Sequence, residues 1–130
     1  MNLDSLNPEQ LEAVRYRRGP LLVVAGAGSG KTRVITSRIA YLIQEGMHPD
    51  HIIAITFTNK AAGEMKHRVL NMLSSDGVTP PWISTFHSFC LRLLRMHINE
   101  IGYSREFVIY DEADQLSLIK QCMKLAGIDK

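Results

Sequence analysis

Apolar positions along this chain switch repeatedly between a continuous run and a three-to-four-residue spacing. Leu21 to Ala25 is an unbroken apolar run, which predicts a strand buried on both faces. Ile35, Ile39, Leu42 and Ile43 then recur at helical spacing, and Gly46 is placed to end that helix. Ile52 to Thr56 predicts a second buried strand. Asn59 to Ser74 predicts a helix, with Met65, Val69, Met72 and Leu73 on its apolar face. Asp76-Gly77 and Pro80-Pro81 mark a loop, and Trp82 to Thr85 is a short third strand candidate. Phe86, Phe89, Cys90, Leu93 and Leu94 predict an amphipathic helix running to about Ile101, with Gly102 as its stop. The tail from Phe107 has an apolar run and then a helix with Leu116, Ile119, Met123 and Ala126 on one face. Ahead of all these, Asn7-Pro8-Glu9-Gln10 reads as a helix start. Asn7 suits the N-cap, Pro8 the first position, and Gln10 the place where a capping-box side chain reaches back. That helix should pass through Leu11 and Val14 and be broken by Gly19-Pro20. Strand and helix in alternation give an α/β fold with a parallel sheet.

Composition narrows this only a little. With 130 residues, 45% apolar and 22% charged, one soluble domain with one core is expected. The net charge of +2 leaves any nucleic-acid contact to local basic clusters. Met1 to Gln10 has neither a basic nor an apolar signal region, and the apolar runs are too short to span a bilayer. Cys90 and Cys122 fit reduced thiols of a cytoplasmic protein. His48 and His51 flank Pro49-Asp50 and read as a solvated turn rather than a metal site.

The strongest chemistry lies at Ala25-Gly26-Ala27-Gly28-Ser29-Gly30-Lys31-Thr32, placed between a predicted strand and a predicted helix. That context is what a phosphate-binding P-loop requires. The glycines let the backbone turn so that its N–H groups face phosphate oxygens, and the helix start adds the positive end of its dipole. Lys31 can reach the β- and γ-phosphates of ATP, and the Thr32 hydroxyl can join a Mg2+ shell. The first position is Ala25 where the strict pattern has glycine, a substitution that keeps the site small.

Four blocks in order resemble the UvrD/Rep/PcrA-type superfamily 1 DNA helicases. Leu6 to Val14 is similar to their Q motif, and Ala25 to Thr32 to their motif I, alanine included. Ile55 to Ala62 is similar to motif Ia, and Ser84 to Ser88 with Leu91 to Arg95 to motif Ib. The resemblance implies a P-loop, RecA-like sheet of which this chain holds the first part. It places residues 1–102 in domain 1A and residues 103–130 at the start of the inserted helical subdomain 1B. Gln10 would then bond the adenine edge, using an amide that both donates and accepts, and Arg33 would lie near the nucleotide. Phe57, Thr58, Asn59 and Lys60 would face single-stranded DNA, with Phe57 stacking a base whatever its identity. Thr85 and His87 are weaker DNA candidates, while Lys60, Lys66 and Arg68 could neutralise phosphates. Plain alternatives exist for each: a cap for Gln10, core for Phe57, a solvated face for the cations. Arg15, Arg17 and Arg18, around Tyr16, form the densest basic cluster and carry no assigned role beyond a nucleotide or nucleic-acid contact. The parent activity implied is ATP-driven, 3′ to 5′ unwinding at duplex junctions, with DNA repair as its setting. The protein would be cytoplasmic, nucleoid-associated in a bacterium, and the fragment alone inactive.

Phe107 to Asp114 also resembles a Walker B strand ending in a DEAD box, in which Asp111 would hold magnesium and Glu112 would activate water. That is the alternative of a DEAD-box-like RNA helicase core. Against it, Asp111 and Asp114 fit an N-cap and N3 pair opening the last helix. A non-catalytic nucleotide- or DNA-binding module is the remaining alternative.

Overall fold

A computed structural model describes residues 3–73 and 79–128. They fall into two compact units, Met1–Leu91 and Arg92–Lys130. The expected Asp76-Gly77 turn and the last residue of the predicted helix ending at Ser74 lie outside the described residues.

The first unit opens with helix α1 (Pro8–Arg15). Its start is the one expected: Asn7 accepts from the Gln10 backbone N–H, and Gln10 returns a bond to the Asn7 backbone, closing a capping box with Pro8 in the first turn. Helix α2 (Lys31–Gln44) follows the glycine loop and is ended near Gly46, whose φ of 93° suits glycine. A 3-10 turn over Pro49–His51 leads into strand β1 (Ile53–Thr56). The His48 imidazole accepts from the Asp50 N–H at the head of that turn, as expected of a loop histidine. Helix α3 (Asn59–Leu73) crosses to strand β2 (Trp82–Thr85), which pairs with β1 in parallel, Ile53 opposite Trp82 and Thr56 opposite Thr85. A parallel pair needs such a crossover, and a helix supplies it. One core joins Ile39 of α2, Ile52 and Ala54 of the β1 region, and Met65 and Val69 of α3. A second, smaller one joins Ala13 and Val14 of α1 to Val34 of α2.

Three expectations need correction. Leu21 to Ala25 is not a strand of the sheet, which has two strands among the described residues. Its exposures run 42%, 86%, 45% and 88% from Leu21 to Val24, the alternation of a chain with one face partly covered. A ladder needs a backbone partner, and none of the described residues provides one here. The β1 strand is likewise buried on one face only: Ala54 is covered, while Ile53 and Ile55 are about half exposed. In α2 the buried stripe runs through Val34, Ile39 and Ala40, and Ile35 stands outside it. α2 must serve both the small α1 core and the main core, which turns the stripe by one residue.

Helix α4 (Phe86–His97) has no buried residue and passes into a 3-10 turn, Ile98–Ile101, closed by Gly102 at φ 84°. In the second unit Arg95 is the main staple. Its guanidinium donates to the carbonyls of Arg105 and Phe107 and lies 4.2 Å from the Phe107 ring centre. Arg105 returns a bond to the Met96 carbonyl at 3.0 Å. Helix α5 (Glu112–Leu125) carries most of its apolar residues exposed, Leu116 at 53% and Ile119 at 55%, while Met123 is half-buried. Among the described residues no helix is long and apolar enough to cross a membrane.

Candidate functional site

The site is built where the chain passes from the run ending at Ala25 into α2. Gly28 and Gly30 take φ of 75° and 83°, a region that L side chains enter only at a cost. The Gly26 carbonyl accepts from both the Ser29 N–H, at 3.3 Å, and the Ser29 hydroxyl, at 2.7 Å, which closes the turn. Gly30 is the N-cap of α2 and offers no side-chain bond, so the first N–H groups of α2 are not capped by a side chain. No acid stands in the first turn of α2. An uncapped helix start with no negative charge beside it suits an anion.

Lys31 is folded back over this turn. Its ammonium donates to the Ala25 carbonyl at 3.0 Å and to the Gly26 carbonyl at 2.6 Å. It is thus held at the start of the loop by oxygens that a phosphate can replace. Thr32 is exposed one residue on, and its hydroxyl takes no protein partner among the described residues. Beside a bound phosphate, a hydroxyl so placed would fit one position of a magnesium shell.

Gln10 reaches the loop from α1. Its amide nitrogen donates to the Ser29 carbonyl at 3.0 Å, and a Cβ added at Gly30 would stand 3.1 Å from that nitrogen. Arg33 bonds the Ser5 hydroxyl and so ties α2 to the segment ahead of α1. Arg38, further along α2, donates to the Ala13 carbonyl at 2.7 Å and meets the carbonyls at the end of α1. These cross-links were not legible in the sequence, because their acceptors are mostly backbone carbonyls, which every residue has. A cavity of about 350 Å³ lies between α1, the Leu21–Val23 stretch and α2, with Lys31 and Arg38 on its wall.

The remaining predicted residues divide into exposed and occupied ones. Phe57, at the carboxyl end of β1, is fully exposed at 101%, so it is not core within this chain. Thr58 is next to it and caps α3, accepting from the Ala61 N–H at 3.1 Å. Asn59 and Lys60 are exposed at the start of α3. Thr85 is buried, and its hydroxyl bonds Ser88 twice, accepting from its N–H and pairing with its hydroxyl at 2.8 Å. It works as a cap for α4, while His87 is exposed on that helix. Arg68 approaches Glu64 at 4.0 Å, and Lys66 is exposed on α3. In the Arg15, Arg17, Arg18 cluster, Arg17 pairs with Glu45 at 3.4 Å and lies 5.8 Å from the Tyr41 ring centre.

The acidic look-alike resolves differently. Asp111 is the N-cap of α5, accepting from the Asp114 N–H at 2.9 Å, and Asp114 accepts from the Asp111 N–H at 3.2 Å. The residues before it, Phe107 to Tyr110, pair with no strand among the described residues. The cap expectation therefore holds.

Comparison with known proteins agrees with the motif order. The family model described as UvrD/REP helicase N-terminal domain matches residues 6–130. A protein of Bacillus subtilis (strain 168), named ATP-dependent DNA helicase PcrA, is 58% identical over 128 residues, which cover 98% of this chain and 17% of that protein. Its namesakes in Staphylococcus aureus (strain Mu50) and Staphylococcus epidermidis (strain ATCC 35984) are 53% identical over 128 residues and 54% over 126. The chain spans 17% of the length of these relatives too.

Proposed function

The chain belongs to the family of UvrD/REP helicase N-terminal domains, and from that premise we propose that it is the ATP-binding segment of a DNA helicase that moves on single-stranded DNA. The observation that carries this reading is the uncapped start of α2 beneath Lys31, with Thr32 beside it. Magnesium bound with the nucleotide would neutralise charge on the phosphate oxygens. The chain's own part is positioning. The N–H groups of the loop and of α2 hold the phosphates, and the Lys31 ammonium exchanges its two carbonyl partners for phosphate oxygens. Gln10 serves the adenine, and Arg33 the nucleotide edge.

Residues 1–102 belong on this reading to a RecA-like domain 1A and residues 103–130 to the start of 1B. The bare side chains of Leu22, Val24, Ile53 and Ile55 fit a parallel sheet whose open face is covered by helices of the parent protein. Phe57, Asn59 and Lys60 form one bank of a DNA groove, with Phe57 exposed where a base can stack on it; Thr58, Thr85 and His87 stand near the ends of the same strands. The parent enzyme unwinds duplex at junctions in the 3′ to 5′ sense and works in the cytoplasm, on the nucleoid in a bacterium. The 130-residue chain alone binds nucleotide without unwinding, because the cations that stabilise the γ-phosphate come partly from elsewhere in such enzymes; a supplied arginine alone contributes roughly 10³–10⁵ in rate. Phosphate release by this chain, with and without oligonucleotide and beside a full-length relative, is the test. The expected result is slow release that DNA hardly stimulates. Robust DNA-stimulated turnover would mean that the chain already holds its catalytic acids, with Asp111 and Glu112 the first to examine.

A further inference from the structure

Gln10 contacts the phosphate loop at the Ser29 carbonyl, across nineteen residues of sequence. Its carboxamide oxygen is at the same time bonded to the Asn7 N–H at 3.1 Å, which fixes the amide plane on the frame of α1. Gly30 leaves the space for this approach, since any Cβ there would stand 3.1 Å from the Gln10 nitrogen. We propose that Gln10 is a positioning residue for the phosphate loop, a brace from α1 that holds the Ser29 peptide and with it the entry to α2, in addition to any contact with a base. The inference rests on the nucleotide-binding reading above and adds to it a role at the phosphate end.

The chemistry of the amide allows both roles together. A carboxamide has two N–H groups and two acceptor lone pairs. The brace uses one N–H, on the Ser29 carbonyl, and the cap uses one lone pair, on the Asn7 N–H. One donor and one acceptor remain for the edge of a base. Base binding then adds to the brace instead of replacing it, and a well-placed base stiffens the loop that holds its phosphates. Turning the Ser29 carbonyl toward Gln10 also fixes the Ser29–Gly30 peptide, so the Gly30 N–H is oriented before a ligand arrives. Lys31, by contrast, must leave its carbonyl partners when a phosphate enters.

A ligand without a base separates the two roles. Binding of magnesium tripolyphosphate and of magnesium ATP to the 130-residue chain is measured by calorimetry for the native protein, Gln10→Ala and Asn7→Ala. The brace predicts that Gln10→Ala weakens tripolyphosphate roughly 2- to 10-fold, the range of one hydrogen bond, and weakens ATP at least as much. Asn7→Ala keeps the Gln10 amide on Ser29 but opens the cap, so it should lower the melting temperature while leaving tripolyphosphate affinity unchanged. Unchanged tripolyphosphate affinity in Gln10→Ala, with ATP alone weakened, would overturn the brace and leave the nucleotide-binding reading intact. Equal losses in Gln10→Ala and Asn7→Ala would overturn it as well, since helix stability would then be the whole effect. A native chain that binds neither ligand would bring down both proposals.

Discussion

Helices α2 and α5 both begin shortly after an apolar run, yet they offer a ligand opposite things. At α2 the capping residue is Gly30, in the left-handed region, with no side chain to fill the first turn and no acid in it. At α5 the capping residue is Asp111, which closes a box with Asp114, and Glu112 adds another carboxylate. The first helix end leaves its N–H groups without a side-chain cap and its positive dipole without an acid beside it, the arrangement that suits an anion. At the second, Asp111 takes the Asp114 N–H, and the carboxylates of Asp111, Glu112 and Asp114 already answer the dipole. Two stretches that each resemble a nucleotide motif are thus separated by what stands in three or four positions around the first helical turn.

The largest effect that could break this comparison is at Lys31. Lys31→Ala removes the ammonium poised over the loop, and hydrogen bonds to charged groups contribute about 1.5–3 kcal/mol each. Magnesium ATP affinity should fall at least roughly 10- to 100-fold, while circular dichroism and melting temperature stay the same, because Lys31 is exposed. Unchanged affinity in a titration would sink the phosphate-loop assignment. A smaller loss is expected from Gly30→Ala. The new side chain must adopt φ near 83° at a cost of about 1–2 kcal/mol and also crowd Gln10. Both melting temperature and nucleotide affinity should drop, in contrast to Lys31→Ala, where affinity alone changes. The smallest effects belong to α5. Asp111→Asn should leave nucleotide and magnesium affinity unchanged and barely alter stability, since Asn is an equally good cap; Asp111→Ala should cost about 1 kcal/mol of helix stability. A large loss of magnesium-dependent binding in Asp111→Asn would restore the DEAD-box alternative.

What could be read in the sequence was local chemistry. Asn7 with Gln10, and Asp111 with Asp114, announce their caps because a capping box spans four consecutive residues. The glycine turn ahead of α2 and the strand at Trp82 are legible for the same reason. What could not be read depends on partners. Leu21 to Ala25 has the composition of a central strand, but pairing is a property of two segments, and among the described residues it finds no second one. Phe57 fits a core pattern as well as a binding surface, and only its full exposure distinguishes them within this chain. The bond from Gln10 to Ser29 leaves no trace in composition, since its acceptor is a backbone carbonyl.

Amide chemical shifts of the ¹⁵N-labelled chain, followed as magnesium ADP is added, test the contrast between the two helix starts most directly. The resonances of Gly28, Ser29, Gly30, Lys31 and Thr32 should move together and saturate, while those of Asp111, Glu112 and Asp114 remain where they were. Shifts centred on the Asp111 turn, or none at the glycine loop, would contradict the account.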